Sequence, residues 1–244
     1  MRRTTGRIVR AVAVATVGAG LLGACGEAAP SARTSGEPAC VSPGAREFVH
    51  EPTVVALESD GHDGAPGVLA ERVDLDLLTD HARSGPSREE GEQFALLFAQ
   101  AVIDSREDVD EQRLVDDLTA DEMPEKACQH VLSRLPWMRE LGWGQYVVPG
   151  TTAWIRSRAD GDAAAPSRVE AQLVMTADFE NDPELFSVEG EPMVVSVRVD
   201  VVRAGDVWLV ADWGGPDAAG LDPGERPTKK WYGVGWRSWE PVVG

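Results

Sequence analysis

The spacing of apolar residues changes along this 244-residue chain, and each change predicts a different kind of element. Residues 11 to 24 are an uncharged run of small and aliphatic side chains behind Arg2, Arg3, Arg7 and Arg10. A membrane-spanning helix needs ~20 apolar residues, so this short run after a basic start predicts a signal peptide over 1–24. Residues 25–44, rich in Ala, Pro, Ser and Gly, predict a flexible tether. In 45–87 the signals conflict. Val54 to Leu57 is strand-like, whereas Val68 to Leu78 mixes alternation with helical spacing, so this extension has no single assignment.

From residue 88 the pattern clears. Ser87 and Glu90 form a capping box, and Phe94, Leu97, Phe98, Ala101 and Val102 fall at helical spacing behind it. A second helical region is predicted over 111–135, broken near Pro124, with Pro124 in a first turn where its missing N–H costs nothing. After Gln145 the period becomes two. Short strands are predicted at 146–148 and 152–157, a turn at 160–162, and a long alternating strand through Val169, Ala171, Leu173, Met175 and Ala177. Residues 194–203 and 207–213 then read as a hairpin, with Val195, Val197, Val199 and Val201 facing Val207, Leu209 and Ala211. Helices followed by a meander predict an α+β domain over 88–213, its helices packed on one face of a curved antiparallel sheet. Residues 214–244 form a linker and a Trp-rich end.

The end of the apolar run carries an address. Leu22-Gly23-Ala24-Cys25 resembles the lipobox of bacterial lipoproteins, which implies that Cys25 is diacylated and becomes the first residue of the mature chain. An ordinary secretory signal with an incidental cysteine is the alternative. Two acyl chains give stable anchoring where one is marginal, so the resemblance implies a lipid-anchored protein at the cell membrane, facing the extracellular side. Lysine occurs only at 126, 229 and 230 and asparagine only at 181, a usage that resembles high-GC Gram-positive bacteria. Removal of residues 1–24, which hold four arginines and no acid, takes the formal net charge from −18 to −22. Such a charge argues against a nucleic-acid partner.

With Cys25 acylated, Cys40 and Cys128 remain as an even pair in an oxidising compartment, which predicts a disulfide closing a loop of about 88 residues. Two unpaired thiols are the alternative, but no His or Lys cluster stands near either to activate it.

The hairpin carries a second resemblance. Gly205, Trp208, Val210 and Asp212 match the gly-x-x-tryptophan-x-valine-x-aspartate ending that is frequent in nuclear transport factor two-like domains, the cystatin-like cone. The likeness covers 88–213 and implies a cone-like fold. It does not imply an activity, because this fold hosts isomerases, dehydratases, binding modules and assembly proteins alike. Catalytic cones place an acid, His or Tyr in the apolar cavity. Here four His and two Tyr leave few candidates, and Asp200 and Asp212 alternate out of phase with the apolar face, which predicts that both face solvent or an edge.

No Gly-x-Ser-x-Gly, His-Glu-x-x-His, phosphate loop or Cys-x-x-Cys occurs, so no catalytic residue, cofactor or metal is assigned. His62 beside Asp63, between Gly61 and Gly64, reads as a solvated turn. Asp178, Glu180, Asp182 and Glu184 resemble half of a calcium loop, but Pro183 stands where the bend wants Gly, and an acidic turn is the plainer reading. The tail supplies the partner-binding candidates Trp231, Tyr232, Trp236 and Trp239, since exposed tryptophans mark interfaces. The plainer reading is a terminal strand that folds back and buries these rings on the sheet or in the mouth of the cone, because a bare aromatic tail is sticky. The expected function is therefore a membrane-anchored, non-catalytic factor that contacts an unidentified envelope protein; a cone that binds or transforms a small apolar molecule is the rival.

Overall fold

The computed structural model describes residues 40–44, 47–55, 57–64, 67–106, 109–162, 164–180, 193–217 and 235–239. Among them are four helices and one mixed, open seven-stranded sheet, an α+β arrangement. Asp74 caps α1 (Leu75–Ala82) by accepting from Leu77 N at 2.8 Å. Ser87 and Glu90 form the expected reciprocal cap of α2 (Arg88–Ile103), with bonds of 3.0 and 3.3 Å. A cap of this kind satisfies backbone donors that a helix start otherwise leaves open.

The spacing in α2 predicts one buried stripe, yet Ala95, Leu96, Ala99 and Gln100 are buried as well. α2 lies between the sheet and its neighbouring helices, so nearly its whole circumference is covered. Two glutamines dock the preceding segment on it. Gln93 accepts from Val68 N and donates to Val68 O, and two turns on Gln100 does the same with Ala70. Each amide thus substitutes for a strand partner of an otherwise irregular backbone.

α3 (Glu111–Leu118) and α4 (Glu125–Glu140) fill the second helical region. Pro124 occupies the N-cap rather than the first turn, and α4 continues through Pro136 beyond the expected end at 135. The lost hydrogen bond is tolerated because the turn beyond it is held: Met138 is buried, and Arg139 binds Glu111 and Val109 O.

The strands are β1 (Thr53–Val55), β2 (Gln145–Val147), β3 (Ala153–Asp162), β4 (Ala165–Phe179), β5 (Met193–Ala204), β6 (Val207–Asp217) and β7 (Arg237–Trp239). Their order is β1-β6-β5-β4-β3-β7, with β2 paired to β4. β1 runs parallel to β6, so the sheet is mixed where the meander predicts an antiparallel one. β3 continues through the expected turn at 160–162, shifting register at Asp160/Gly161, and β6 extends to Asp217.

The register of β6 differs most from expectation. A shift opposite Asp200/Val201 pairs Asp212 with Asp200 and Val210 with Val201, leaving Ala211 as the extra residue. A bulge of this kind reverses the alternation. Before the bulge, pairing of Val201 with Val210 and of Arg203 with Trp208 already puts Val210 and Trp208 on the helix side; beyond it Trp213 joins them, whereas Leu209 and Ala211 pack in a separate cluster with Val202 and Ala120.

The helix side of the sheet is filled. Val169, Ala171, Leu173, Met175 and Ala177 of β4 and Val197, Val199 and Val201 of β5 pack in one cluster with Phe94, Phe98, Trp208 and Trp213. Gly91 makes the close approach of α2 possible, because a Cβ there would lie 3.1 Å from the Trp208 ring. Trp208 donates to Gly85 O at 2.7 Å, so its one polar atom is satisfied within the core.

Candidate functional site

Three constellations of side chains link elements in and around this core. The most buried joins the loop before α1, α2, β3 and β7. Arg88 and Glu92 are one helical turn apart on α2 and lie 3.1 Å apart, both almost fully buried. Arg88 also grips Asp60 with two 2.8 Å bonds and donates to Ser157 Oγ at 2.9 Å. Arg237, from β7, donates to Glu92 Oε1 at 2.6 Å, to Ser157 Oγ at 3.2 Å and to Gly64 O at 3.1 Å. Ser157 closes the ring by donating to Glu92 Oε1. Two arginines and two carboxylates balance in charge, as groups removed from water must. Ser157 is 2% exposed, so this constellation holds elements together and offers a substrate no approach to the hydroxyl.

None of these five residues is a candidate by sequence. The Arg88/Glu92 spacing was legible, but Ser157 sits in an ordinary alternating strand, and Arg237 reaches the network only because β7 pairs with β3.

The second constellation covers the sheet face turned away from the helices. Glu170, Asp200 and Asp212 stand in direct register across β4, β5 and β6. Like charges so placed repel, and arginines relieve them. Arg158 and Arg198 each lie 3.1 Å from Glu170, and Arg168 holds Asp200. The phase argument puts Asp200 and Asp212 off the helix side, where they are, Asp212 because of the extra residue Ala211, but it also expects solvent or an edge. Instead Asp200 is 2% exposed in an interior strand. Burial pushes its carboxyl up to about 6 against the hydrogen bond and charge of Arg168.

The third constellation ties the N-terminal segment to α4. Cys40 and Cys128 are joined, their Cα atoms 6.3 Å apart. Val49 N donates to Ser133 Oγ at 3.1 Å, Phe48 stacks on Trp137 with ring centres 4.3 Å apart, and His130 Nδ1 lies 2.9 Å from Val49 O. Because a carbonyl only accepts, Nδ1 carries the proton. Burial, reinforced by the charge of Arg134, depresses His130 to about 4.

Asp200 and His130 titrate with opposite consequences for stability. Asp200 changes from 3.8 to about 6 on folding, so between those values the folded chain binds more protons and gains stability as pH falls. His130 changes from 6.5 to about 4, so in that window the unfolded chain binds more protons and stability is lost as pH falls. Each contributes roughly 2–3 kcal/mol, and the two nearly cancel. In urea unfolding between pH 6.5 and 4, Asp200→Asn should unmask a loss on acidification and His130→Gln a gain. Parallel pH profiles for both variants and the unsubstituted protein would refute the assignment.

Of the residues expected to bind a partner, Trp231 and Tyr232 lie outside the described residues, as does the lipidation candidate Cys25. Trp236 is 2% exposed and packs with Trp154 and Val174, so its ring is not free for docking. The backbone of Trp239 pairs with Ala153, which makes 237–239 a folded-back edge strand. His62 faces Glu89 at 3.3 Å. Asp178 lies in β4 opposite Tyr146, Glu180 lies 3.6 Å from Arg106, and Asp182 and Glu184 are outside the described residues. Among the described residues, no helix is long and apolar enough to cross a membrane. Comparison with protein-family models, with curated proteins and with solved structures finds no match to this chain.

Proposed function

We propose that this chain is a lipid-anchored lipoprotein, attached through Cys25 to the outer side of the cell membrane, whose cone-like domain acts by contact with an envelope protein and not by catalysis. The observation that carries the non-catalytic reading is the filled space between α2 and the sheet. Where a catalytic cone keeps a cavity, Phe94, Phe98, Trp208 and Trp213 pack at 0–1% exposure. The buried acids are matched elsewhere: Glu92 with Arg88 and Arg237, and Asp200 with Arg168 on the opposite face of the sheet. Carboxylates held in ion pairs in this way are poorly placed to act as a base, which supports the non-catalytic reading. The Leu22 to Cys25 lipobox and the short apolar run before it support the anchoring.

The test has two arms in cells. Cys25→Ser should abolish acyl labelling and leave the precursor uncleaved; normal labelling of that variant would overturn the anchor. Crosslinking of the anchored protein should recover a reproducible protein neighbour, lost or diminished when the chain is released from the membrane. A lipophilic metabolite co-purifying with no protein neighbour would replace this reading with that of a small-ligand carrier or enzyme.

A further inference from the structure

On the outer face of the sheet, Arg158, Arg168 and Arg198 each meet a carboxylate, whereas Arg156 meets none among the described residues. Its Nη2 donates to the neutral Gln172 Oε1 at 2.6 Å, its guanidinium lies 4.8 Å from the centre of the Trp236 ring, and its buried Nε meets no acceptor. Gln172, fully buried, stands directly between Arg156 on β3 and Arg198 on β5, and its Nε2 donates to nothing. Ser196, two residues before Arg198 on the same strand face, has a buried Oγ without a partner.

Arg156 and Gln172 share one cross-strand row and Ser196 lies in the next, opposite Val174, and each unmet group can donate: a guanidinium N–H, an amide N–H and a hydroxyl. A buried donor left unmet costs about 1–3 kcal/mol, and a desolvated cation lacking its anion costs more. Burial also pulls Arg156 below its ordinary range, with only the charge of Glu58 opposing. Arg156 and Ser196 are half-buried residues, so the patch lies at the protein surface, while the unmet Nε, Nε2 and Oγ atoms are covered and meet an anion only when the Arg156 and Gln172 side chains turn outward. The shared deficiency is a negatively charged acceptor, in a chain that otherwise carries a large excess of acid. A planar guanidinium fork beside an amide donor suits a carboxylate or a phosphate, whose oxygens accept in one plane.

We infer that Arg156, Gln172 and Ser196 form a binding site for an oxyanion, a carboxylate or phosphate group, on the outer face of the sheet. Trp236 holds the plane of the guanidinium by stacking, and Arg156 supplies the charge. This site does not depend on the lipid anchor or on the non-catalytic reading.

The test uses the full chain in chloride buffer at pH 7.5 and constant ionic strength. Inorganic phosphate and N-acetylglycine, a mimic of a peptide carboxyl terminus, are titrated separately by calorimetry, with the thermal midpoint followed in parallel. Saturable one-to-one binding of at least one probe, with a matching rise in midpoint, is expected; the probe that binds identifies the class of anion. Arg156→Met and Gln172→Met should each weaken binding at least about tenfold, the factor carried by one charge-assisted hydrogen bond. Arg158→Met, on the same face but matched to Glu170, should leave binding unchanged. Ser196→Ala, a smaller perturbation, should weaken it even if the larger variants fold poorly. Absence of saturable binding by both probes, or equal weakening by Arg158→Met and Arg156→Met, would overturn the site and leave solvent as the acceptor.

Discussion

Glu92→Gln should lower the unfolding free energy by about 3–5 kcal/mol, because the substitution removes one charge from a buried, balanced set and leaves the others desolvated. Arg88 retains the Asp60 carboxylate in the variant, whereas Arg237 is left with neutral acceptors: the amide oxygen of the substituted side chain in place of the carboxylate, Ser157 Oγ and Gly64 O. The loss should therefore be uneven. The bond of β7 to α2 fails first, and limited proteolysis should cut near 235–239 before it cuts elsewhere. Urea unfolding measures the total, read as a lower midpoint at similar slope. Arg237→Met combined with Glu92→Leu removes both charges of that contact and should cost less than the sum of the single changes. A loss below about 1 kcal/mol in Glu92→Gln would mean that solvent already reaches the carboxylate.

Opening the Cys40–Cys128 link should have an effect of similar size by a different route. A covalent loop of 88 residues restricts the unfolded chain, and the chain-entropy estimate for that length is about 4–5 kcal/mol. The contacts of Val49 and Phe48 with α4 exist only in the folded chain and do not replace that restriction. The double substitution Cys40→Ser/Cys128→Ser should therefore unfold at much lower urea, and reductant should shift the parent protein to the same midpoint. A non-reducing peptide map should show the two cysteines in one linked fragment. A parent protein whose midpoint ignores reductant would show that the link is absent or energetically idle.

Much of the architecture was legible because it depends on local periods. The α2 cap follows from Ser87 and Glu90 three residues apart, and the long β4 follows from its alternation. The parallel β1 was not legible, since three residues of strand-like sequence say nothing about which strand they meet. The inward set on β6 differs from expectation because the turn pairs Val201 with Val210 and Arg203 with Trp208, which puts Trp208 and Val210 inward in place of Val207 and Leu209; the extra residue, Ala211, then brings Trp213 to the same side, and no spacing within the strand announces either. The candidate constellations were harder still. Arg156 and Gln172 are separated by 16 positions in sequence and become neighbours only through strand register, which also brings Ser196, 24 positions further on, to the same face one row away, opposite Val174.

By itself, the sequence determined the leading apolar run with its lipobox-like end, the acidic balance of the chain, the capped helix and the order of helices before strands, because each rests on neighbours within a few positions. Tertiary structure alone decided that β7 folds back and buries Trp236, that Asp200 is desolvated and matched to Arg168, and that Arg156 meets an amide oxygen where its neighbours meet carboxylates. The physical reason is that charge pairing, burial and unmet donors are properties of side chains brought together across the sheet, and chain-distant partners leave no local period to read.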